Sequence, residues 1–186
     1  MLSLVQLDRL LSAARGSVFR KGDTVVHPEH GAAVIEELRV REFLGERRKY
    51  LVLRVAYGDL TLMVPVESTE EVGIRHVISR NEVKKVMNVL EQDESTMDAN
   101  WHRRFKNNIE KLRSGDIYQL AEVVRNLSIR EREKGLSAGE KRMVIKARQI
   151  LISELTYATD GTDEKTQAMI DKVLDESHQS RVLAGF

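Results

Sequence analysis

The chain has 186 residues, 41% hydrophobic and 32% charged, with only two prolines, a balance that suits a soluble globular protein of one large or two small domains. It carries no cysteine, which excludes disulfides, thiolate metal sites and a cysteine nucleophile. The net charge is +1, but basic residues gather in 39–49, 101–113 and 141–148 and acidic ones in 67–71, 91–98 and 160–164, so local patches matter more than the total.

Residues 1–17 read as a short amphipathic segment or extension, with Leu4, Leu7 and Leu11 at helical spacing and Arg15-Gly16 at its end. Gln6, Asp8 and Arg9 interrupt the stretch where a signal peptide would be apolar, and no apolar run approaches the roughly 20 residues a bilayer demands. A cytoplasmic protein without a membrane role is expected. From Phe19 to Pro65 the pattern is that of short strands, at 24–26, 33–35, 50–55 and 60–64, separated by turns at Gly22-Asp23, 28–31, Gly45 and Gly58-Asp59. Four or five strands in so short a stretch predict a small, strongly bent sheet or partial barrel.

The period then changes to that of helices. Val83, Val86, Met87 and Leu90 follow i, i+3, i+4, i+7 behind an expected Asn81 cap, and a connector is expected over 70–80. A second helix spans 100–113 and stops at Ser114-Gly115, and a third follows Asp116 with Ile117, Leu120, Val124 and Leu127 on one face. The fourth starts at a capping box, Ser137 with Glu140, after Gly135 closes its predecessor. A fifth begins near Thr162. Such short amphipathic helices must pack together, so an α+β chain is expected: a sheet over 18–69 followed by a helical bundle over 81–180.

Little in the chain resembles catalytic machinery. No phosphate-binding loop, dinucleotide fingerprint or nucleophile elbow is present, and a non-enzymatic protein without a cofactor or small-molecule substrate is expected. His27 and His30 flank a Pro28-Glu29 turn; with no third ligand nearby in sequence they read as structural hydrogen-bonding groups rather than metal ligands. The only tryptophan lies in the basic stretch 100–106. From spacing alone two readings stand. Trp101, Phe105, Ile109 and Leu112 form one apolar stripe that could be core. Alternatively, Trp101 is exposed at a helix start, ringed by Arg103, Arg104 and Lys106, and wedges into a minor groove while the cations hold phosphates. Lys141, Arg142, Lys146 and Arg148 could extend that basic surface. Arg39, Arg41, Arg47, Arg48 and Lys49 surround the Gly45 turn, either as a solvated hairpin tip or as a docking surface.

Taken together, these segments resemble the CarD family of bacterial RNA polymerase-binding regulators. The opening 19–31, Phe19-Arg20-Lys21-Gly22-Asp23-Thr24-Val25-Val26 and His27-Pro28-Glu29-His30-Gly31, is similar to the family's first motif. Tyr50-Leu51-Val52-Leu53, Gly58-Asp59-Leu60 and Val64-Pro65 continue it, and 101–106 and 135–143 resemble its helical signatures. The resemblance implies a Tudor-like domain, also seen in the transcription-repair coupling helicase, that docks on the polymerase β subunit, and a helical domain that binds upstream promoter DNA. It implies that Trp101 is the minor-groove wedge at the upstream edge of the melted region. Arg103, Arg104, Lys106 and Lys141 match its basic DNA-facing positions, and Arg142 stands beside them. Arg41 matches a position that contacts the β subunit; a second basic position reads Met63 here, leaving that contact to packing or to neighbours such as Arg39. The implied action is stabilisation of the open promoter complex, the alternative being general nucleic-acid binding without polymerase contact.

Overall fold

The computed structural model describes residues 19–43 and 45–184, so the expected segment 1–17 lies outside the described residues. Among these residues five strands form one antiparallel sheet: β1 (Thr24–His27), β2 (Gly31–Phe43), β3 (Glu46–Val55), β4 (Thr61–Pro65) and β5 (Arg75–His76), in the order β4-β3-β2-β1-β5. Among the described residues the six α-helices are α1 (Thr69–Val72), α2 (Arg80–Glu91), α3 (Trp101–Arg113), α4 (Ile117–Glu133), α5 (Ala138–Thr159) and α6 (Asp163–Ala184). The chain is α+β, as its change of hydrophobic period requires.

Alternation along β3 sends Leu51, Leu53 and Val55 inward, where they meet Ile35, Ala33, Val64 and Ile74 in a small core. A bulge between Ile35 and Glu37 displaces Glu36 from the ladder, where it pairs with Arg54 at 2.8 Å, and adds twist to the long β2–β3 hairpin. The second core belongs to the helices. Val86, Leu90, Val124, Leu127, Leu151, Leu155 and Ile170 are almost wholly buried there, too large an apolar area for any one of these helices to cover alone.

Two boundaries differ from expectation. The cap of α2 is Ser79, not Asn81: Glu82 accepts both the N–H and the hydroxyl of Ser79, at 2.8 Å each, in a capping box that includes neither atom of Asn81. Residues 70–80 also do more than connect. They include most of α1 and all of β5, which pairs with β1 through Val25–His76 and Val26–Arg75 and so belongs to the sheet.

The sheet sits directly on the bundle through buried polar contacts. Ser153 of α5 accepts the Ala32 N–H at 3.0 Å, and Glu154, fully buried, receives both terminal nitrogens of Arg75 at 2.5 and 2.8 Å and the Ile78 N–H at 3.2 Å. Arg75 also donates to the Gly115 carbonyl at 2.9 Å, so one side chain of β5 ties α5 to the turn before α4. Tyr57, in the β3–β4 turn, hydrogen-bonds Asp163; burial first, and that acid second, push its hydroxyl up to about 12.

Gly31 approaches α5 closely at this junction. Its φ is +78°, and a β-carbon there would lie 2.5 Å from the Ser153 hydroxyl and 3.3 Å from the Ile150 α-carbon. Gly31→Ala is expected to cost about 2 kcal/mol or more, combining left-handed strain with overpacking, and to lower Tm by about 5 °C. Gly58 supplies the control, having the same φ and open space around it. Gly58→Ala should carry only the strain, and equal losses for the two variants in thermal melts would show that the close approach at Gly31 does not matter.

Candidate functional site

Two surfaces gather the residues singled out in the sequence. The first forms where the starts of α3 and α5 meet. Asn100 caps α3 by accepting the Arg103 N–H at 3.2 Å, and the helix begins at once with Trp101. The indole N–H donates to the hydroxyl of Ser137, the cap of α5, at 3.1 Å. Phe105 stacks beneath it at 5.2 Å and 23°, and His102 meets it edge-on at 4.8 Å. Phe105 itself packs over Gly139, where a β-carbon would come within 3.1 Å of its ring. The stripe is divided between the bundle and the surface. Phe105, Ile109 and Leu112 pack on the bundle core, while Trp101, at the outer end, keeps 39% of its surface exposed.

The cations around it divide. Arg103 and Lys106 extend outward with side chains 78% and 77% exposed, held only by loose contacts to Asp98 at 3.9 Å and Glu110 at 3.8 Å. Lys141 and Arg142 are exposed in the first turns of α5. Lys146 is exposed further along that helix, whereas Arg148 is paired with Asp171.

Arg104 is a correction. It is 5% exposed, its Nε donates to Glu140 at 2.9 Å, and one terminal nitrogen donates to the carbonyls of Asp98 and Ala99 at 2.9 and 3.3 Å. Its guanidinium is committed inside the protein and does not face a phosphate. The helical wheel explains why: Arg104 lies three residues after Trp101 and four before the equally buried Asn108, on the inward face. Glu140, its partner, is 1% exposed. Burial pushes its carboxyl up, but the N–H and hydroxyl of Ser137 together with Arg104 more than offset this and hold it below the usual carboxylate range.

The second surface is the outer face of the β2–β3–β4 ribbon. Arg39 lies opposite Tyr50, Arg41 opposite Arg48 and Met63 opposite Val52, and cross-strand partners share a face, as do residues two apart. Arg39, Arg41 and Met63 therefore stand on one side of the sheet, the side away from Leu51 and Leu53. Arg39 is paired with Glu37, and Arg48 with Glu46 and Glu67. Arg41 makes no ion pair among the described residues, and Met63 is 36% exposed.

The histidine pair has a structural use: His27 Nδ1 accepts the Glu29 N–H at 3.1 Å, and the two rings meet edge-to-face at 4.7 Å. Burial first, and then the positive neighbours (His30 and Lys146 for His27, Lys146 for His30), lower both from the usual histidine range against the opposing pull of Glu29. Among the described residues there is no cluster of three or more metal-ligating side chains, and no helix is long and apolar enough to cross a membrane.

Two family models match the chain in sequence order. Residues 19–78 match the CarD-like/TRCF RID domain, and residues 85–171 match the CarD C-terminal domain. The first covers the sheet up to β5, and the second runs from α2 into α6. Among curated proteins, the chain is 36% identical over 151 residues to "Putative transcription factor YdeB" of Bacillus subtilis (strain 168), covering 81% of this chain and 99% of that protein. The first model takes in Arg39, Arg41 and Met63, and the second Trp101, Arg103, Lys106, Lys141 and Arg142. On these matches the chain belongs to the CarD family of transcription regulators.

Proposed function

We propose that the chain is a non-enzymatic adaptor that grips the RNA polymerase β subunit with the Arg41–Met63 face of its sheet and promoter DNA with the Trp101 surface. It acts in the cytoplasm, at the upstream edge of the melted region, and stabilises the open complex. The observation that supports this best is the half-exposed Trp101, set among the outward cations Arg103, Lys106, Lys141 and Arg142, on a body that carries the open Arg41 face elsewhere. An indole fits between base steps of a minor groove, and the cations fit the phosphates beside it.

The action is linkage. A protein that binds the open complex better than the closed one shifts that equilibrium by the ratio of its two affinities. A differential of about 1.4 kcal/mol gives tenfold. Holding the wedge on polymerase raises its effective concentration at the bubble, so weak, sequence-tolerant DNA contacts suffice.

The test is the lifetime of a heparin-challenged open complex formed by the cognate housekeeping polymerase. Wild type should lengthen it about tenfold. Trp101→Ala should abolish the gain at any concentration. Arg41→Glu should require much more protein, since it weakens capture rather than the wedge. A wild-type protein that leaves the lifetime unchanged would sink the reading.

A further inference from the structure

Trp101 is not simply an exposed ring. Its N–H edge meets the Ser137 hydroxyl at 3.1 Å and one face rests on Phe105, while 39% of its surface stays open. A serine hydroxyl has one proton to give, and here it goes to Glu140 Oε2 at 2.8 Å. What Ser137 turns toward the indole is therefore a lone pair, the match for a group that can only donate. Glu140 fixes that direction. The same Oε2 accepts the Ser137 N–H at 3.0 Å, while Oε1 accepts Arg104 Nε at 2.9 Å and has Arg130 Nε at 3.8 Å. Glu140 is 1% exposed and Arg104 5%, so this pair is buried and cannot reorient without leaving a charge unpaired.

We propose that Ser137 and Glu140 are positioning residues for Trp101: the capping box that begins α5 also clamps the indole, fixing its plane before DNA arrives. The inference rests on the wedge reading of Trp101 and adds what sets the wedge's angle. A free indole would have to surrender its rotamer freedom on insertion, whereas a clamped one enters already ordered. Ser137 and Glu140 touch no DNA in this arrangement and act only through Trp101.

The chain has a single tryptophan, so its fluorescence reports the wedge alone. Ser137→Gly removes the acceptor, and glycine is tolerated at a helix cap nearly as well as serine. In the free, full-length variant, time-resolved anisotropy should gain a fast indole component while far-UV circular dichroism is unchanged. The open-complex lifetime should shorten roughly three- to tenfold, the net worth of an ordinary hydrogen bond.

Trp101→benzothienylalanine, in which sulfur replaces the N–H, removes the donor and leaves both cap and ring shape intact. It should shorten the lifetime equally, and adding Ser137→Gly to it should have no further effect. An unchanged indole motion in Ser137→Gly, or losses that multiply in the double variant, overturns the positioning role and leaves the wedge standing. If Trp101→Ala itself leaves the lifetime unchanged, the wedge reading fails and the clamp has nothing to position.

Discussion

Arg75→Met is expected to destabilise the protein by about 3–5 kcal/mol, the usual cost of stripping the partner from a buried charge. For a chain of this length that is a fall of roughly 10 °C in Tm. Glu154 has no exposed surface and would keep only the Ile78 N–H at 3.2 Å, and the Gly115 carbonyl would lose its donor. The same argument gives the opposite sign for the double change. Arg75→Met with Glu154→Leu removes both charges and fills the space with apolar atoms, which for buried pairs is often neutral or stabilising. Urea melts of the two singles and the double should therefore show strong coupling, with the double nearer to wild type than either single. Near-additive losses would mean that the pair is solvated and does not join the sheet to the bundle.

This junction marks the limit of what the sequence made legible. Period-two and period-3.6 patterns report on neighbours within one element, so the strands, the helix faces and the Ser137–Glu140 box could be read directly. Arg75 and Glu154 are 79 residues apart, and nothing local announces their contact. The two-residue β5 is too short to carry a pattern of its own; only its pairing with β1 makes it a strand. At the start of α2 the signal was present but ambiguous. Ser79–Glu82 has the same spacing as Ser137–Glu140, yet Asn81 is itself a good cap residue and drew the boundary inward.

At the candidate site the sequence located the surface but not the roles within it. A run such as Arg103-Arg104 looks uniformly basic when read along the chain, although a helix turns about 100° per residue and sends neighbours in different directions. Read at helical spacing, Trp101, Arg104 and Asn108 form one line, and the structure buries the last two. The Trp101–Ser137 hydrogen bond joins residues 36 apart and had no sequence signal at all.

The division of labour between Arg103 and Arg104 leads to the second large effect, measurable as the salt dependence of binding to a labelled promoter duplex. Each phosphate deprived of its cation should reduce the slope of log K against log salt by about 0.9. Arg103→Ala and Lys106→Ala remove outward cations, as do Lys141→Ala and Arg142→Ala on α5, and each should flatten the slope by roughly that unit while leaving the melt near wild type. Arg104→Ala should do the reverse. It leaves Glu140 buried with Arg130 at 3.8 Å as its nearest remaining cation, so stability should fall by about 3–5 kcal/mol. At a temperature where the variant is still folded its salt slope should match wild type, and any weakening of DNA binding should be independent of salt, because the change unseats α3 and Trp101 without removing a charge from the surface proposed to meet DNA. A slope reduced as much as in Arg103→Ala would show that Arg104 leaves its buried site to meet a phosphate, and the internal network would then be an apo arrangement that DNA takes apart.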